Sequence, residues 1–229
     1  MTAPRQGEWL SDPREITRRS FEIIAKEADF SHLSPDVRHV AARIIHACGL
    51  PQLAPDIRIA PGLQKVMDTL LEHGGDIFVD TKMVQTGIMR AKLPPNVKVH
   101  CLLRAPETQK MASELKTTLT AASVRRWKMQ PQGAVCIIGN APTALFELLR
   151  RMEEENLRPL AVLGFPVGFV GAAESKELLN EHLREGLPAA TVLGRPGGAG
   201  MAAAAFNAML LHWRHRVTAR KNRDTGCNI

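Results

Sequence analysis

Hydrophobic residues recur at helical spacing between residues 35 and 48. At about 100° per residue they form one broad apolar stripe, made of Val37, Val40, Ala41, Ile44, Ile45 and Cys48. His39, Arg43 and His46 fall roughly opposite this stripe. The pattern predicts an amphipathic helix over residues 35–48 with a basic face turned away from the core.

This basic face has two interpretations. Most polar helix faces are simply solvated, and that interpretation fits any single helix. Solvated faces usually carry lysine and glutamate, however, whereas histidine beside arginine places a group that exchanges protons near neutral pH next to a fixed positive charge. His46 with Arg43 is therefore a candidate for acid–base chemistry, and at this point both interpretations stay open.

The ends of the first two helices can also be predicted. Asp12 is placed to begin a first helix that runs to about residue 30, with Glu15 reaching back to it as in a capping box. Ser34 is placed to cap the second helix, and Gly49 to end it in a left-handed conformation.

Short apolar runs then alternate with segments of helical periodicity. A short extended piece at 57–60 and a helix at 62–73 come first, and five strand candidates follow at residues 77–79, 97–103, 135–138, 160–163 and 191–193. Repeated strand–helix units predict a mostly parallel sheet of about five strands with helices on both faces. The fold class is therefore α/β.

The last three predicted strands each end in a glycine-rich turn, at residues 139–143, 164–171 and 194–200. Ligands of open parallel sheets bind at the carboxyl ends of the strands, so these turns predict a cleft. Glycine is also needed wherever a strand bends sharply into a helix, and that alternative stays open for each turn. The last turn lacks the nucleotide-binding pattern G-x-x-x-x-G-K-[ST], and no G-x-G-x-x-G follows the first strand, so the sequence gives little support to nucleotide binding. Exposed N–H groups and Arg195 suit carboxylates as readily as phosphates, and Lys82 and Arg90 are weaker candidates for the same cleft.

Composition narrows the class of ligand. The chain has 229 residues, of which 45% are hydrophobic, and we expect one domain over residues 1–216 with a basic, flexible tail over 217–229. The net charge of +7 suits an acidic ligand or a nucleic acid. Aromatic residues make up 4% and tyrosine is absent, which disfavours the stacking platforms of single-stranded nucleic-acid binding. A small acidic molecule is the better prediction.

The cysteines and the chain's apolar stretches indicate a cytoplasmic protein. The four cysteines show no metal-ligand spacing, so we expect reduced thiols and no metal. The first residues carry several charges and no apolar signal-peptide region, and the alanine-rich run 201–211 is too short to cross a bilayer. We therefore expect no membrane association.

Five motifs taken together resemble a known family. They are R-I-I-H-A-C-G at 43–49, D-x-x-M-V-x-x-G-I at 80–88, G-N-A-P-T-A-L at 139–145, P-V-G-F-V followed by E-S-K-E within 166–177, and Gly197-Gly198 before an alanine-rich helix. In this order they resemble the precorrin-8X methylmutases, over roughly residues 20–210. Each motif is weak alone, but five in sequence are specific.

The resemblance implies a flavodoxin-like three-layer fold, a homodimer and an isomerase of cobalamin biosynthesis. The implied reaction moves a methyl group between adjacent carbons of the macrocycle, converting precorrin-8X to hydrogenobyrinate, or the cobalt-containing equivalent, without a cofactor. Matched one at a time, His46 corresponds to the family's proton donor and acceptor, and Ser20 and Arg43 to substrate-binding positions.

Two departures from the family's pattern leave a second hypothesis open. The family is expected to carry Thr-Thr-Arg where this chain has Thr-Thr-Leu119, and a small polar residue where this chain has Ala199 followed by Gly200. A protein that lost a carboxylate contact at residue 119 could bind a corrinoid without efficient turnover. The alternative is thus a non-catalytic tetrapyrrole-binding or carrier protein.

Overall fold

The fold is built on a six-stranded sheet, seen in a computed structural model that describes residues 9–129 and 133–224. The strands are β1 (Ile57–Ile59), β2 (Gly75–Val79), β3 (Val97–His100), β4 (Ala134–Ile138), β5 (Ala161–Gly164) and β6 (Ala189–Val192). Their spatial order is β1-β6-β5-β4-β2-β3. Strands β2 to β6 are parallel to one another, which confirms the predicted mostly parallel sheet.

The prediction of about five strands was short by one, β1. This strand pairs antiparallel with β6, so that Ile57 lies opposite Val192 and Ile59 opposite Ala190. Three residues are too few for alternation to identify a strand, and the segment becomes one because it completes the edge of the sheet. Antiparallel pairing also puts the start of β1 at the carboxyl ends of the other strands.

Helices connect the strands and cover both faces of the sheet. They are α1 (Pro13–Glu27), α2 (Arg38–Cys48), α3 (Leu63–His73), α4 (Lys82–Gly87), α5 (Pro106–Glu114), α6 (Leu119–Arg125), α7 (Pro142–Glu154), α8 (Ala172–Arg184) and α9 (Ala199–Asp224). Short 3₁₀ helices lie at Pro35–Val37, Pro51–Asp56 and Arg90–Lys92.

Two hydrophobic cores lie on opposite faces of the sheet, because strand side chains alternate between the faces. Ile77 and Ile137 point into the core shared with α1, α2, α3, α4 and α9. Phe78 and Cys136 point into the core shared with α6, α7 and α8, and α5 packs beside α6. The predicted three-layer α/β/α architecture is confirmed.

Helix ends follow the sequence signals in part. Gly49 ends α2 with φ +69°, as predicted. Ser34 makes no capping bond through its side chain, because the chain first forms the 3₁₀ turn Pro35–Val37. Asp12 caps α1 by accepting from the N–H of Arg14. Glu15 is not part of a capping box, because its carboxylate pairs with arginines one turn further along α1.

The last helix is longer than the sequence analysis expected. It continues to Asp224 and so crosses residue 216, where the end of the domain was placed. Residues 212–224 contain no proline or glycine that would stop a helix. The remainder of the predicted flexible tail, residues 225–229, lies outside the described residues.

Over residues 9–129 and 133–224, none of the helices is both long enough and apolar enough to cross a bilayer.

Candidate functional site

The basic end of α2 lies close to the rim where the parallel strands end. Val40 and Ile44 are buried in the core, whereas His46 is exposed and Arg43 is half-buried. Gly49 ends α2, and the 3₁₀ helix Pro51–Asp56 then leads directly into β1 beside the carboxyl end of β6. The amphipathic pattern therefore predicted correctly that His46 faces away from the core.

The ring of Phe21 in α1 contacts both His46 and Arg43 of α2. Its ring stacks on the His46 imidazole, with ring centroids 5.0 Å apart and 18° between the planes. The guanidinium carbon of Arg43 lies 5.2 Å from the centroid of the same ring. Such stacking restricts the orientations of both side chains. We call Phe21, Arg43 and His46 the helix site.

Sequence analysis missed Phe21, although a signal was present. Aromatic residues are only 4% of the chain, and this one directly follows Ser20, which the resemblance had already identified. The structure places Ser20 half-buried on α1, with its hydroxyl donating to the carbonyl of Ile16 at 2.8 Å. Ser20 is thus next to the helix site in the chain, and its oxygen keeps lone pairs for a ligand.

Partial burial lowers the pKa of Arg43 from its ordinary value, because desolvation penalises the charged form. Arginine remains protonated at neutral pH even so. The helix site therefore combines a permanent cation with an exposed imidazole. That combination can hold an anion and exchange a proton beside it.

His39, the remaining member of the predicted basic face, behaves differently from its prediction. His39 is half-buried, stacks on His212 of α9 with centroids 4.5 Å apart, and places Nε2 3.0 Å from Oε1 of Gln64. Burial, followed by the neighbouring His212, lowers the pKa of His39. Helical periodicity identifies a polar face, but it does not show that α9 covers part of it.

A groove runs from the helix site along the seam between α1, α2 and α9. Its volume is about 370 Å³ and its lining includes Phe21, Arg43, His39, His212 and His215. Among the described residues, its lining contains bases and no carboxylate. The groove therefore suits an anionic group, most strongly when its imidazoles are protonated.

At the rim, Asp80 holds the turn between β4 and α7. Its buried carboxylate accepts from the backbone N–H groups of Gly139 at 3.1 Å, Asn140 at 2.9 Å and Ala141 at 3.2 Å. Burial raises the pKa of Asp80, while the three N–H donors act in the opposite direction by favouring the charged form. The motif at residues 80–88 gave no role for Asp80, and the structure supplies one: its carboxylate holds the turn after β4.

A cavity of about 560 Å³ lies between α4 and the start of α9. Lys82 and Thr86 contribute side chains, and Ala199 and Gly200 contribute the first turn of α9. The first N–H groups of a helix have no partner within it and attract negative charge. Lys82 lines this cavity, whereas Arg90 does not.

Gly139 is required by the close approach of α9 to the rim. A Cβ at this position would lie 2.9 Å from the Cα of Ala199. The glycine thus lets the start of α9 sit directly against the turn that Asp80 holds. For this turn the close packing explains the glycine.

The other two glycine turns carry a second cation–aromatic pair. The guanidinium carbon of Arg195 lies 5.3 Å from the centroid of the Phe169 ring. Phe169 is 83% exposed and Val170 is 88% exposed. Such exposure of large apolar side chains beside an arginine is typical of a binding surface.

Leu119, where the resemblance leads us to expect arginine, is exposed at the first position of α6. The preceding Thr118 caps this helix, and its hydroxyl also lies 3.1 Å from that of Thr120 and 2.9 Å from that of Thr143. This hydroxyl cluster joins the starts of α6 and α7. Leu119 contributes no charge to it.

Within residues 9–129 and 133–224, no group of three or more histidine, cysteine or acidic side chains is arranged to hold a metal ion. Three of the four cysteines, Cys48, Cys101 and Cys136, are described and all are free thiols. Cys227 lies outside the described residues.

Comparison with known proteins confirms the resemblance seen in the sequence. The family model described as precorrin-8X methylmutase matches residues 15–212. A precorrin-8X methylmutase of Pseudomonas aeruginosa is 42% identical over 202 residues, which cover 88% of this chain and 97% of that protein. A cobalt-precorrin-8 methylmutase of Priestia megaterium is 32% identical over 200 residues, covering 86% of this chain and 87% of that protein. The solved structure of a precorrin-8X methylmutase from Thermus thermophilus is 30% identical, with a TM-score of 0.75 over 87% of this chain and 96% of that one.

Proposed function

Because this chain belongs to the precorrin-8X methylmutase family, we propose that it is an isomerase of cobalamin biosynthesis. Its substrate is precorrin-8X or cobalt-precorrin-8, and its reaction moves a methyl group on the macrocycle. The observation that carries the proposal is the helix site, where an exposed imidazole and a guanidinium share the Phe21 ring. The reaction rearranges one molecule, so no second substrate is required.

His46 is the proposed proton donor and acceptor. A proton placed on a macrocycle nitrogen withdraws electron density and favours migration of the methyl group. Imidazole is suited to this step because its ordinary pKa lies near neutral pH. After migration the proton returns to His46, so that the enzyme is regenerated and the product is an isomer of the substrate.

Arg43 and Ser20 are the proposed substrate-binding residues. A tetrapyrrole-derived macrocycle carries several carboxylates, and a guanidinium binds a carboxylate through two parallel hydrogen bonds. The histidine-lined groove and the cavity at the start of α9 supply further positive potential for other carboxylates. The net charge of +7 supports the same substrate class.

A homodimer would enclose this otherwise open site. Ile16 is 42% exposed and Ile23 is 53% exposed, and with Ser20 between them they lie on one face of α1. Only Ile24 of α1 is buried, so this helix contributes little to the core of its own subunit. We therefore place α1 at the subunit contact, where a second copy would cover its apolar face and limit water access to the helix site.

A cytoplasmic location completes the proposal. The three described cysteines are unpaired, and free thiols persist in a reducing compartment.

The alternative function, a corrinoid-binding carrier, rests on Leu119, which puts an exposed apolar side chain where the resemblance leads us to expect arginine. Incubating the purified protein with precorrin-8X, and separately with cobalt-precorrin-8, distinguishes the two. We expect catalytic conversion of one of them, seen as a change of the absorption spectrum under substrate excess. Stoichiometric binding of both without conversion would refute the isomerase and support the carrier.

A further inference from the structure

Lys176, in the second turn of α8, is a buried cation with an unusual environment. Its relative exposure is 0%. Its ammonium donates to the backbone carbonyl of Pro196, and no carboxylate of the described residues forms an ion pair with it. Burial lowers the pKa of Lys176 to about 8, because desolvation penalises the charged form.

Such a side chain is unfavourable for folding. Lysines are almost never fully buried unless they are paired with an acid. A buried ammonium without a carboxylate loses hydration that one carbonyl does not replace, whereas methionine of similar length would occupy the space without that loss. The charge of Lys176 therefore requires an explanation other than the stability of the fold.

Its carbonyl partner lies in one of two loops that are bonded to each other. These paired rim loops are residues 165–171 after β5 and residues 194–198 after β6. The N–H of Gly198 donates to the carbonyl of Phe165 at 2.8 Å, and the N–H of Gly168 donates to the carbonyl of Arg195 at 3.4 Å. Lys176 adds the bond from α8 to Pro196, so the second loop is held from two sides.

Gly197 shows how closely the paired rim loops approach. A Cβ at this position would lie 2.4 Å from the carbonyl oxygen of Pro166 and 2.5 Å from that of Phe165. Only glycine permits this approach. A small displacement of Pro196 would therefore move both loops together.

The paired rim loops carry groups suited to an anionic ligand. Arg195 precedes Pro196 directly and stacks on Phe169 of the other loop. Ala199, three residues after Pro196, begins α9 and lines the cavity beside Lys82. The bond from Lys176 thus fixes the backbone between a guanidinium and the N–H groups of a helix start.

We propose that Lys176 is a positioning residue whose ammonium holds Pro196 so that Arg195 and the first turn of α9 are aligned for a carboxylate of the substrate. The identity of the ligand, a macrocycle bearing several carboxylates, rests on the proposed function. Lys176 itself does not contact the substrate, because it is enclosed beneath the loop.

The kinetic test compares Lys176→Met with wild type and with Lys65→Met, which removes an exposed lysine of α3. We expect Lys176→Met to raise the KM for the macrocycle by about tenfold or more and to change kcat by less than about threefold. Lys65→Met should match wild type. The melting temperature of Lys176→Met should equal or exceed that of wild type, since a desolvated charge is removed. An unchanged KM, a lower melting temperature or failure to fold would each overturn the proposal.

A double-mutant cycle shows whether Lys176 acts through Arg195. If it does, Lys176→Met combined with Arg195→Ala should raise KM by clearly less than the product of the two single effects, because the two changes share the Arg195 contact while the first turn of α9 is disturbed only by Lys176→Met. Independent, multiplicative effects would contradict the proposed positioning.

Hydrogen exchange separates failure of this inference from failure of the proposed function, because it needs no substrate. In Lys176→Met we expect the Gly198 and Gly168 amides to exchange about tenfold faster or more, while the β4 amides keep the wild-type rate. Unchanged exchange at these glycines would overturn the role of Lys176 whether or not the enzyme turns over precorrin-8X. Faster exchange in a protein whose wild type converts neither macrocycle would refute the proposed function and with it the assigned ligand.

Discussion

The helix site and the rim present charge to a ligand in opposite ways. The helix site presents side chains, an exposed imidazole and a half-buried guanidinium, held against the ring of Phe21 on the surface. The rim presents backbone N–H groups, whose positions are fixed from beneath by two buried charged residues, Asp80 and Lys176. Side chains at the helix site can therefore be changed at little cost to folding, whereas the loss of Asp80 would leave three backbone N–H groups of the rim without their acceptor.

The largest effect on stability is expected at the rim. Asp80→Ala leaves the N–H groups of Gly139, Asn140 and Ala141 without their acceptor, at about 1–3 kcal/mol for each group that stays buried. The free energy of unfolding should fall by about 3 kcal/mol or more, measured by urea denaturation. Asp29→Ala is the control, because Asp29 is exposed and accepts one backbone N–H, that of Ser31. Equal losses for the two variants would show that the rim is not held by Asp80.

At the helix site the effect should appear in binding instead. Arg43→Ala removes the cation next to His46, and we expect KM to rise by about tenfold or more, the scale of a hydrogen bond to a charged group, with a smaller fall in kcat. Arg184→Ala, which removes an exposed arginine at the end of α8, should leave both constants unchanged. A loss confined to kcat would assign Arg43 to the chemical step instead of binding.

A subtler change tests whether the Phe21 ring orients the helix site. Phe21→Leu keeps an apolar side chain but removes both stacking contacts, which are worth about 0.5–1.5 kcal/mol each. We expect kcat/KM to fall about threefold to tenfold while the melting temperature changes by only a few degrees. Wild-type kcat/KM in Phe21→Leu would show that the stacking is incidental.

The smallest effect concerns pH and His39, the half-buried histidine of α2. The pKa of His39 is lowered in the folded state, so the unfolded chain binds more protons between that lowered value and the ordinary value of about 6.5. The stability associated with a neutral His39 is therefore complete above about pH 6.5 and is lost as the pH falls toward the folded-state pKa. His39→Gln should show a smaller decrease in melting temperature between pH 7.5 and pH 5.5 than wild type, and His73→Gln, at an exposed position, should not. An unchanged pH dependence in His39→Gln would rule out His39 as the source.

The same contrast explains how much of the molecule could be predicted from its sequence. The exposed position of His46 and the left-handed Gly49 follow from periodicity and capping within one helix, which are local properties. The layers could likewise be predicted from the alternation of strands and helices, because the spacing of apolar residues within each segment indicates its type and its buried side. β1 was not predicted as a strand because three residues give no periodic signal and its pairing partner lies about 130 residues later.

The supports of the site could not be predicted, because they join distant segments. Asp80 bonds to a turn about 60 residues away, and Lys176 to a carbonyl 20 residues away. Phe21 reaches α2 only through the angle at which α1 docks, which no pattern in α1 specifies. His39 was assigned to the outer face because periodicity cannot show that α9 packs over it.

The most direct test of the central claim is the turnover of His46→Ala beside His73→Ala. Both histidines are exposed in the last turn of a helix that ends at glycine. His73, however, lies at the end of α3 just before β2 begins, and so at the amino-terminal ends of the parallel strands. We predict that His46→Ala folds normally and binds the macrocycle but loses turnover by about a hundredfold or more, the usual contribution of general acid–base catalysis, while His73→Ala keeps the wild-type rate. A folded His46→Ala protein that converts precorrin-8X at the wild-type rate would contradict the assignment of His46 as the proton donor and acceptor.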